Sequence, residues 1–180
     1  INMIYANGEF PQNLNDEFKG IFSKWSFELS DFQKWAIYSI CNNNDTLVCA
    51  PTGSGKTLPA EYAIDHFTKL GKKVIYTTPI KALSNDKLAE LTQKFPNLSF
   101  GLLTGDNKFN PEAQVLIMTT EIYLNTLLKL MFLKTQDDYD IQKLSLDFNI
   151  NIEEELGIVI HDEIHYINDR DRGHVWEKSI

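Results

Sequence analysis

The chain has 180 residues, 25 acidic and 17 basic, for a net charge of −8, and 43% of its residues are hydrophobic. That is the length of one domain with enough apolar content for a core, which excludes a disordered chain; the acidic balance argues against a free-standing nucleic-acid binder that works by bulk charge. Two cysteines make no disulfide framework or metal cluster, no apolar run reaches membrane-spanning length, and the first residues lack a basic-then-apolar secretory pattern, so Cys41 and Cys49 are expected as reduced core thiols of a cytoplasmic or nuclear protein.

In chain order, residues 1–26 mix Asn, Gly, Pro and acids with isolated aromatics and read as a lead-in that lies against the domain or is partly mobile. Ser30-Asp31 can cap a helix through Cys41, with Phe32, Trp35, Ala36 and Ile40 on or near one face. Asn42-Asn43-Asn44-Asp45 is a turn. Beyond it the pattern predicts a strand over 46–50, a helix over 55–69, a strand over 73–78, a helix over 81–94, strands over 99–103 and 115–119, a helix over 120–133 and a strand over 157–161. Such alternation requires crossover connections, hence an α/β fold with a mostly parallel sheet and helices on both faces. In the long acidic segment 134–155, Leu144, Leu146, Phe148, Ile150 and Ile152 alternate with polar residues, which fits a strand or hairpin arm as well as a solvated loop.

Two motifs carry chemistry. The apolar, β-branched run Thr46–Ala50 leads into Pro51-Thr52-Gly53-Ser54-Gly55-Lys56-Thr57. Backbone that must wrap N–H groups around phosphate needs glycine, here Gly53 and Gly55. Lys56 brings a cation to the β- and γ-phosphates, and the Thr57 hydroxyl can ligate magnesium. The following helix points its positive end at the anion, and Pro59 fits its first turn. Ala50 stands where the strict pattern begins with glycine. The second motif is Asp162-Glu163 after Leu156–His161, a buried-strand pattern. Carboxylates at that end of a parallel strand sit where open α/β sheets bind ligands. Asp162 suits a magnesium ligand and Glu163 a group that polarises attacking water. His161 and His165, four apart with Glu163 between them, superficially match a zinc-protease helix; that motif needs Glu directly after the first His, on a helix, and the residues here favour strand.

These residues resemble the first motor domain of superfamily-two helicases, most closely the DExH RNA helicases of the superkiller and exosome-cofactor group, from Phe27 to Ile180. The resemblance implies a RecA-like P-loop domain over 27–180 that uses ATP and Mg²⁺. Phe27–Gln33 resembles the Q motif, which implies Phe27 stacking on adenine and Gln33 reading its edge; Phe27 could equally be core. Glu61-Tyr62-Ala63-Ile64 follows the loop as in this group. Thr78–Lys87 looks like motif Ia, Leu103–Asp106 like motif Ib and Met118–Glu121 like motif Ic. They imply contacts to a nucleic-acid backbone from Thr78, Pro79, Lys81, Ser84, Asn85, Gly105, Thr119 and Thr120, each of which taken singly is an ordinary cap or turn residue. Asp162 to Trp176, with Tyr166, Asp169, Arg172 and Gly173, resembles motif II and its continuation, and His165 would couple the nucleotide and RNA sides. Three features depart from the group: Ser-Ala is usual at Gly53-Ser54, an apolar or aromatic residue at His161, and a shorter segment at 134–155.

The function implied is ATP-driven unwinding of, or translocation on, single-stranded RNA by a monomer with no membrane association. Trp176–Ile180 reads as a helix still in progress, so a coupling motif and a second motor domain with its arginines are expected elsewhere, and these residues alone are expected to hydrolyse almost no ATP. Three alternatives stand beside it: a DNA-unwinding relative, a non-catalytic scaffold of the same fold, against which Lys56, Asp162 and Glu163 argue, and a phosphate-loop kinase, which would leave Gln33 and motif Ia unexplained.

Overall fold

The computed structural model describes residues 8–134, 148 and 150–168, and the chain divides into two units, 1–66 and 67–180. In the first unit, residues 8–26 carry two short helices, α1 (Gln12–Glu17) and α2 (Lys19–Phe22), and lead to α3 (Asp31–Cys41). Aromatic packing holds this lead-in on α3. The buried Phe10 ring meets Phe22, Trp35 and Tyr38 edge-on at 5.6, 4.9 and 6.2 Å, and Phe18 lies 5.3 Å from Tyr38. Two hydrogen bonds fix the register: Phe10 N–H donates to Asp31 Oδ1 (2.9 Å) and Trp35 Nε1–H to the Gly8 carbonyl (3.2 Å). The isolated aromatics of the lead-in are therefore the anchor of α3. Ser30 and Gln33 form a reciprocal capping box at its start, and Asn43, at φ 55°, turns the chain after its end.

The predicted strand over 46–50 does not form. The segment makes no sheet ladder, Leu47 is 69% exposed and Cys49, expected in the core, is exposed. An apolar, β-branched run becomes a strand only beside a hydrogen-bonding neighbour, and among the described residues this one has none. Helix α4 (Thr57–Lys69) begins directly after the glycine loop. Pro59 is its third residue, where the missing N–H would have had no intrahelical partner.

Among its described residues the second unit holds a five-stranded sheet built from β1 (Lys73–Thr78), β2 (Phe100–Leu103), β3 (Lys108–Phe109), β4 (Val115–Thr119) and β5 (Leu156–His161), in the order β3-β2-β4-β1-β5. Every pairing is parallel except the β2–β3 hairpin, whose short second strand the periodicity missed. Helices α5 (Lys81–Lys94) and α6 (Thr120–Lys134) follow β1 and β4. Strand alternation sorts the core. Ile75, Leu116, Met118 and Val159 gather with Tyr123 of α6, and with Phe148 and Ile150, on one side. Tyr76 lies on the opposite face, under Lys87 of α5, whose Nζ is 5.8 Å from the ring centroid. Phe148 and Ile150, two apart and both 4% exposed, obey the predicted period, which ends in a turn over 151–155 where Asn151 Oδ1 accepts the N–H groups of Glu153 and Glu154. A side chain at Gly157 would clash with Phe67 of α4 and Lys72, within 3 Å of its Cβ, so glycine lets the end of α4 lie close on β5. Residues 135–147 and 169–180, with Leu144, Leu146, Arg172, Gly173 and Trp176, lie outside the described residues.

Candidate active site

The candidate phosphate loop lies in the first unit. Gly53 and Gly55 both have φ of +82°, a conformation that L side chains avoid. Ser54 closes the turn, its N–H and hydroxyl donating to the Pro51 carbonyl at 3.2 and 2.7 Å. Thr52 and Gly53 are exposed, Lys56 and Thr57 half-buried, and Thr57 is the first residue of α4. Among the described residues no atom lies within 4 Å of where a Gly53 side chain would start, whereas at Gly55 a Cβ would stand 2.6 Å from Gln33 Nε2. A loop with φ-positive glycines, opening onto a helix N-terminus and followed by lysine and threonine, fits a triphosphate and its magnesium.

Gln33 is 5% exposed and works locally: its Oε1 accepts the Ser30 N–H and its Nε2 donates to the Gly55 carbonyl, both at 3.0 Å. Phe27 is 56% exposed at an open groove of about 270 Å³ shared with Phe22, Trp25, Leu29 and Lys34.

The acidic pair lies in the second unit. The β1–β5 ladder continues past β5, with the Asp162 N–H donating to the Thr77 carbonyl at 3.0 Å. The Asp162 carboxylate is held on both oxygens: Oδ1 accepts the Glu163 N–H (2.9 Å) and Oδ2 the Tyr76 hydroxyl (2.8 Å). Each oxygen retains a second lone pair for a cation. Glu163 has φ of +55°, which costs of order 1–3 kcal/mol in a non-glycine residue. Its N–H bond to Asp162 and its carbonyl, which accepts the Tyr166 N–H at 3.1 Å, hold it there. Glu163 Oε2 lies 3.1 Å from His165 Nδ1. His161, on the other face, has Nδ1 2.8 Å from the Thr77 hydroxyl and its ring edge-on to Tyr123, and burial pushes its imidazole down to about 4. His161 thus sits on a strand, not on a zinc-binding helix, and the described residues contain no cluster of three metal-ligating side chains.

The residues assigned to nucleic acid fall into two groups. Thr78, Pro79, Ser84, Thr119 and Thr120 are buried. The Thr78 hydroxyl is 2.7 Å from that of Ser84, and the Thr120 hydroxyl donates to the Thr78 carbonyl at 3.2 Å, so these groups tie the ends of β1 and β4 to the starts of α5 and α6. Lys81, Asn85 and Gly105 are exposed. Lys81 pairs with Asp106, whose carboxyl this contact holds below its usual range. Gly105 and Asp106 form the two-residue turn between Thr104 and Asn107. Sequence reasoning missed Tyr76 and left Asp106 without a role. Alternation holds the signal for Tyr76: it pairs with Ile160, and Asp162, two residues on, faces the same side.

A family model, DEAD/DEAH box helicase, matches residues 30–180. The chain belongs to the DEAD/DEAH box helicase family. It is 41% identical over 156 residues to the antiviral helicase SKI2 of Saccharomyces cerevisiae, covering 87% of this chain and 11% of that protein. Against mRNA transport homolog 4 of Caenorhabditis elegans the identity is 40% over 177 residues, 98% of this chain and 15% of the relative. Against the exosome RNA helicase MTR4 of Mus musculus it is 40% over 157 residues, 87% and 13%. The chain therefore spans less than a sixth of the length of these relatives. Among solved structures, the Mycobacterium smegmatis helicase Lhr bound to ssDNA and AMP-PNP matches with a TM-score of 0.56 and 26% identity, over 93% of this chain and 22% of Lhr. The DUF1998 helicase MrfA bound to DNA and AMPPNP matches in fold with a TM-score of 0.52 at 20% identity, over 69% of this chain and 19% of MrfA. The expected RecA-like helicase fold is the one found. No helix among the described residues is long and apolar enough to cross a membrane.

Proposed function

We propose that this helicase-family domain is the first motor domain of an ATP-dependent RNA helicase of the cytoplasm or nucleus, and that loop 52–57 and the pair Asp162–Glu163 serve one ATP and its Mg²⁺. The observation that carries the reading is the loop itself: two glycines at φ +82° leading into the first residue of α4. Thr52, Gly53 and Gly55 offer backbone N–H groups to the phosphates, Ser54 closes the turn that presents them, and Lys56 neutralises their charge. Thr57 and Asp162 hold the cation, which when bound shields the charge that develops in phosphoryl transfer. Glu163 takes the proton of the attacking water, and His165, beside it, relays its state to the polymer side. Phe27 supplies a stacking face for adenine and Gln33 reads its edge while holding the loop. A second motor domain supplies the arginines for full turnover.

Lys81, Asn85 and Gly105, being exposed, take RNA phosphates directly. Thr78, Pro79, Ser84, Thr119 and Thr120 shape that edge and offer backbone rather than side chains. The identities near 40% to relatives named as RNA helicases favour RNA; the match to Lhr, solved with ssDNA, keeps DNA as the second reading.

The test is ATP hydrolysis by the full-length protein with single-stranded RNA or DNA, for wild type and Glu163→Gln. RNA should stimulate turnover more than DNA, and Glu163→Gln should lose ~10²–10⁴ in rate while still binding nucleotide. No stimulated hydrolysis by wild type would leave a scaffold; stronger stimulation by DNA would change the polymer.

A further inference from the structure

We infer that Tyr76 is a positioning residue for the metal-holding carboxylate, an inference that rests on the role proposed above for Asp162. Tyr76 is 2% exposed in the middle of β1, a place that needs only an apolar side chain. Its register explains why it carries a hydroxyl. Tyr76 pairs with Ile160, so Asp162 stands diagonally across on the same face, one pleat further along. A phenol is long enough to cover that pleat, and its O–H reaches Asp162 Oδ2 at 2.8 Å. Phenylalanine would end short of the carboxylate, and leucine or valine much shorter.

The contact decides where the carboxylate points. With Oδ1 turned to the Glu163 N–H and Oδ2 to the phenol, the Asp162 plane is fixed by one donor on each oxygen. The lone pairs left over are then held in fixed directions. The phenol is neutral, so it orients the carboxylate without cancelling its charge, as a lysine or arginine there would. Outer groups of this kind commonly change metal affinity by about tenfold or more when removed. The Oδ1 bond also restrains Glu163 in its φ-positive turn, so a carboxylate freed from Tyr76 would loosen the residue proposed to activate water.

The test uses Tyr76→Phe in the full-length protein, with Mn²⁺ as a spectroscopic stand-in for Mg²⁺. Mn²⁺ affinity in the presence of a non-hydrolysable ATP analogue is read by electron paramagnetic resonance. Nucleotide affinity in excess EDTA and the melting temperature are measured alongside. The expected result is about tenfold weaker Mn²⁺ binding, with metal-free nucleotide affinity unchanged and the fold retained. ATP turnover should recover at high Mg²⁺, a rescue that a merely structural role would not give. Unchanged Mn²⁺ affinity, or loss of the fold, overturns the inference. Asp162→Asn separates this failure from that of the underlying reading: if it too leaves Mn²⁺ affinity unchanged, Asp162 is not the metal ligand; if it abolishes binding while Tyr76→Phe does not weaken it, only the role of Tyr76 falls.

Discussion

Gln33 Nε2 donates to the Gly55 carbonyl at 3.0 Å while Gln33 Oε1 accepts the Ser30 N–H, so one side chain joins the cap of α3 to the phosphate loop. The same carboxamide is proposed to read adenine, and the two roles separate experimentally. Losing the loop clamp weakens every nucleotide alike; losing the adenine contact erases a preference for ATP over GTP. Gln33→Ala is expected to weaken GTP about fivefold through the lost clamp, the worth of one hydrogen bond near 1 kcal/mol, and ATP several-fold more through the lost adenine contact, and so to narrow the preference. Titration with fluorescent ATP and GTP analogues measures both. Unchanged GTP affinity would rule out the clamp.

Gly55→Ala combines two insults. Its φ of +82° costs an L residue about 1–2 kcal/mol, and the new methyl group would stand 2.6 Å from Gln33 Nε2. The expected result is loss of measurable nucleotide binding with a melting temperature lowered by several degrees. Gly53→Ala, strained but meeting no described atom within 4 Å, should lose less binding in the same assay.

Stability should fall in mild acid because of His161. Its folded imidazole is pushed down to about 4, whereas the unfolded value is 6.5. Between those values the unfolded chain binds a proton that the folded one does not. Stability is therefore full above pH 6.5 and falls by about 1.4 kcal/mol per pH unit as the pH drops toward 4. His66, lowered chiefly by burial, adds in the same direction. Urea melts at pH 7 and pH 5 should differ by roughly 2 kcal/mol in wild type and by clearly less in His161→Phe. Equal differences in the two proteins would remove His161 as the source.

Lys81 and Asp106 form an exposed pair at the edge proposed to meet RNA. A phosphate there has to compete with the Asp106 carboxylate for the same ammonium. Asp106→Asn should tighten RNA binding a few-fold at low salt, with the gain fading as screening grows. Lys81→Ala should weaken binding and reduce the salt-dependence slope by about 1. Fluorescence anisotropy with a short single-stranded RNA over a salt series tests both; a slope unchanged in Lys81→Ala would mean that Lys81 makes no phosphate contact.

Phe10→Ala should destabilise the first unit by about 3 kcal/mol, the usual cost of deleting a well-packed buried ring. The three edge-on aromatic contacts and the Phe10 N–H bond to Asp31 define the site. Denaturant melts followed by tryptophan fluorescence report it directly, because Trp35 is one of the partners.

Much of this was legible in the chain before any coordinates. Helices α3 to α6 and strands β1, β2, β4 and β5 fall within a residue or two of the bounds expected from apolar periodicity, because each buries a stripe or a face that the pattern marks. Strand β3 was invisible because two exposed residues, Lys108 and Phe109, have no period. The run 46–50 misled because composition states what a strand would be made of, not whether a neighbour is there to pair with it. For the candidate site, the spacing of Gly53 and Gly55 marked a loop whose two glycines do adopt positive φ, since wrapping backbone around an anion would impose residue types at fixed spacing. Tyr76 escaped because its role arises only from the β1–β5 register, and Thr78, Ser84 and Thr120 changed character because a hydroxyl in a motif looks the same in sequence whether it faces solvent or a neighbouring strand.

The six residues of β1 carry more duties than a strand normally does. Tyr76 grips the carboxylate at 162, Thr77 receives the backbone of the same residue, and Thr78 anchors the first turns of two helices. Substitutions at Thr77 or Thr78, unlike the near-isosteric Tyr76→Phe, will therefore disturb the proposed nucleotide site and the proposed polymer edge together. Anyone seeking to uncouple the two activities should work at the rim, on Lys81 and Asp106, where a change reaches the solvent before it reaches the sheet.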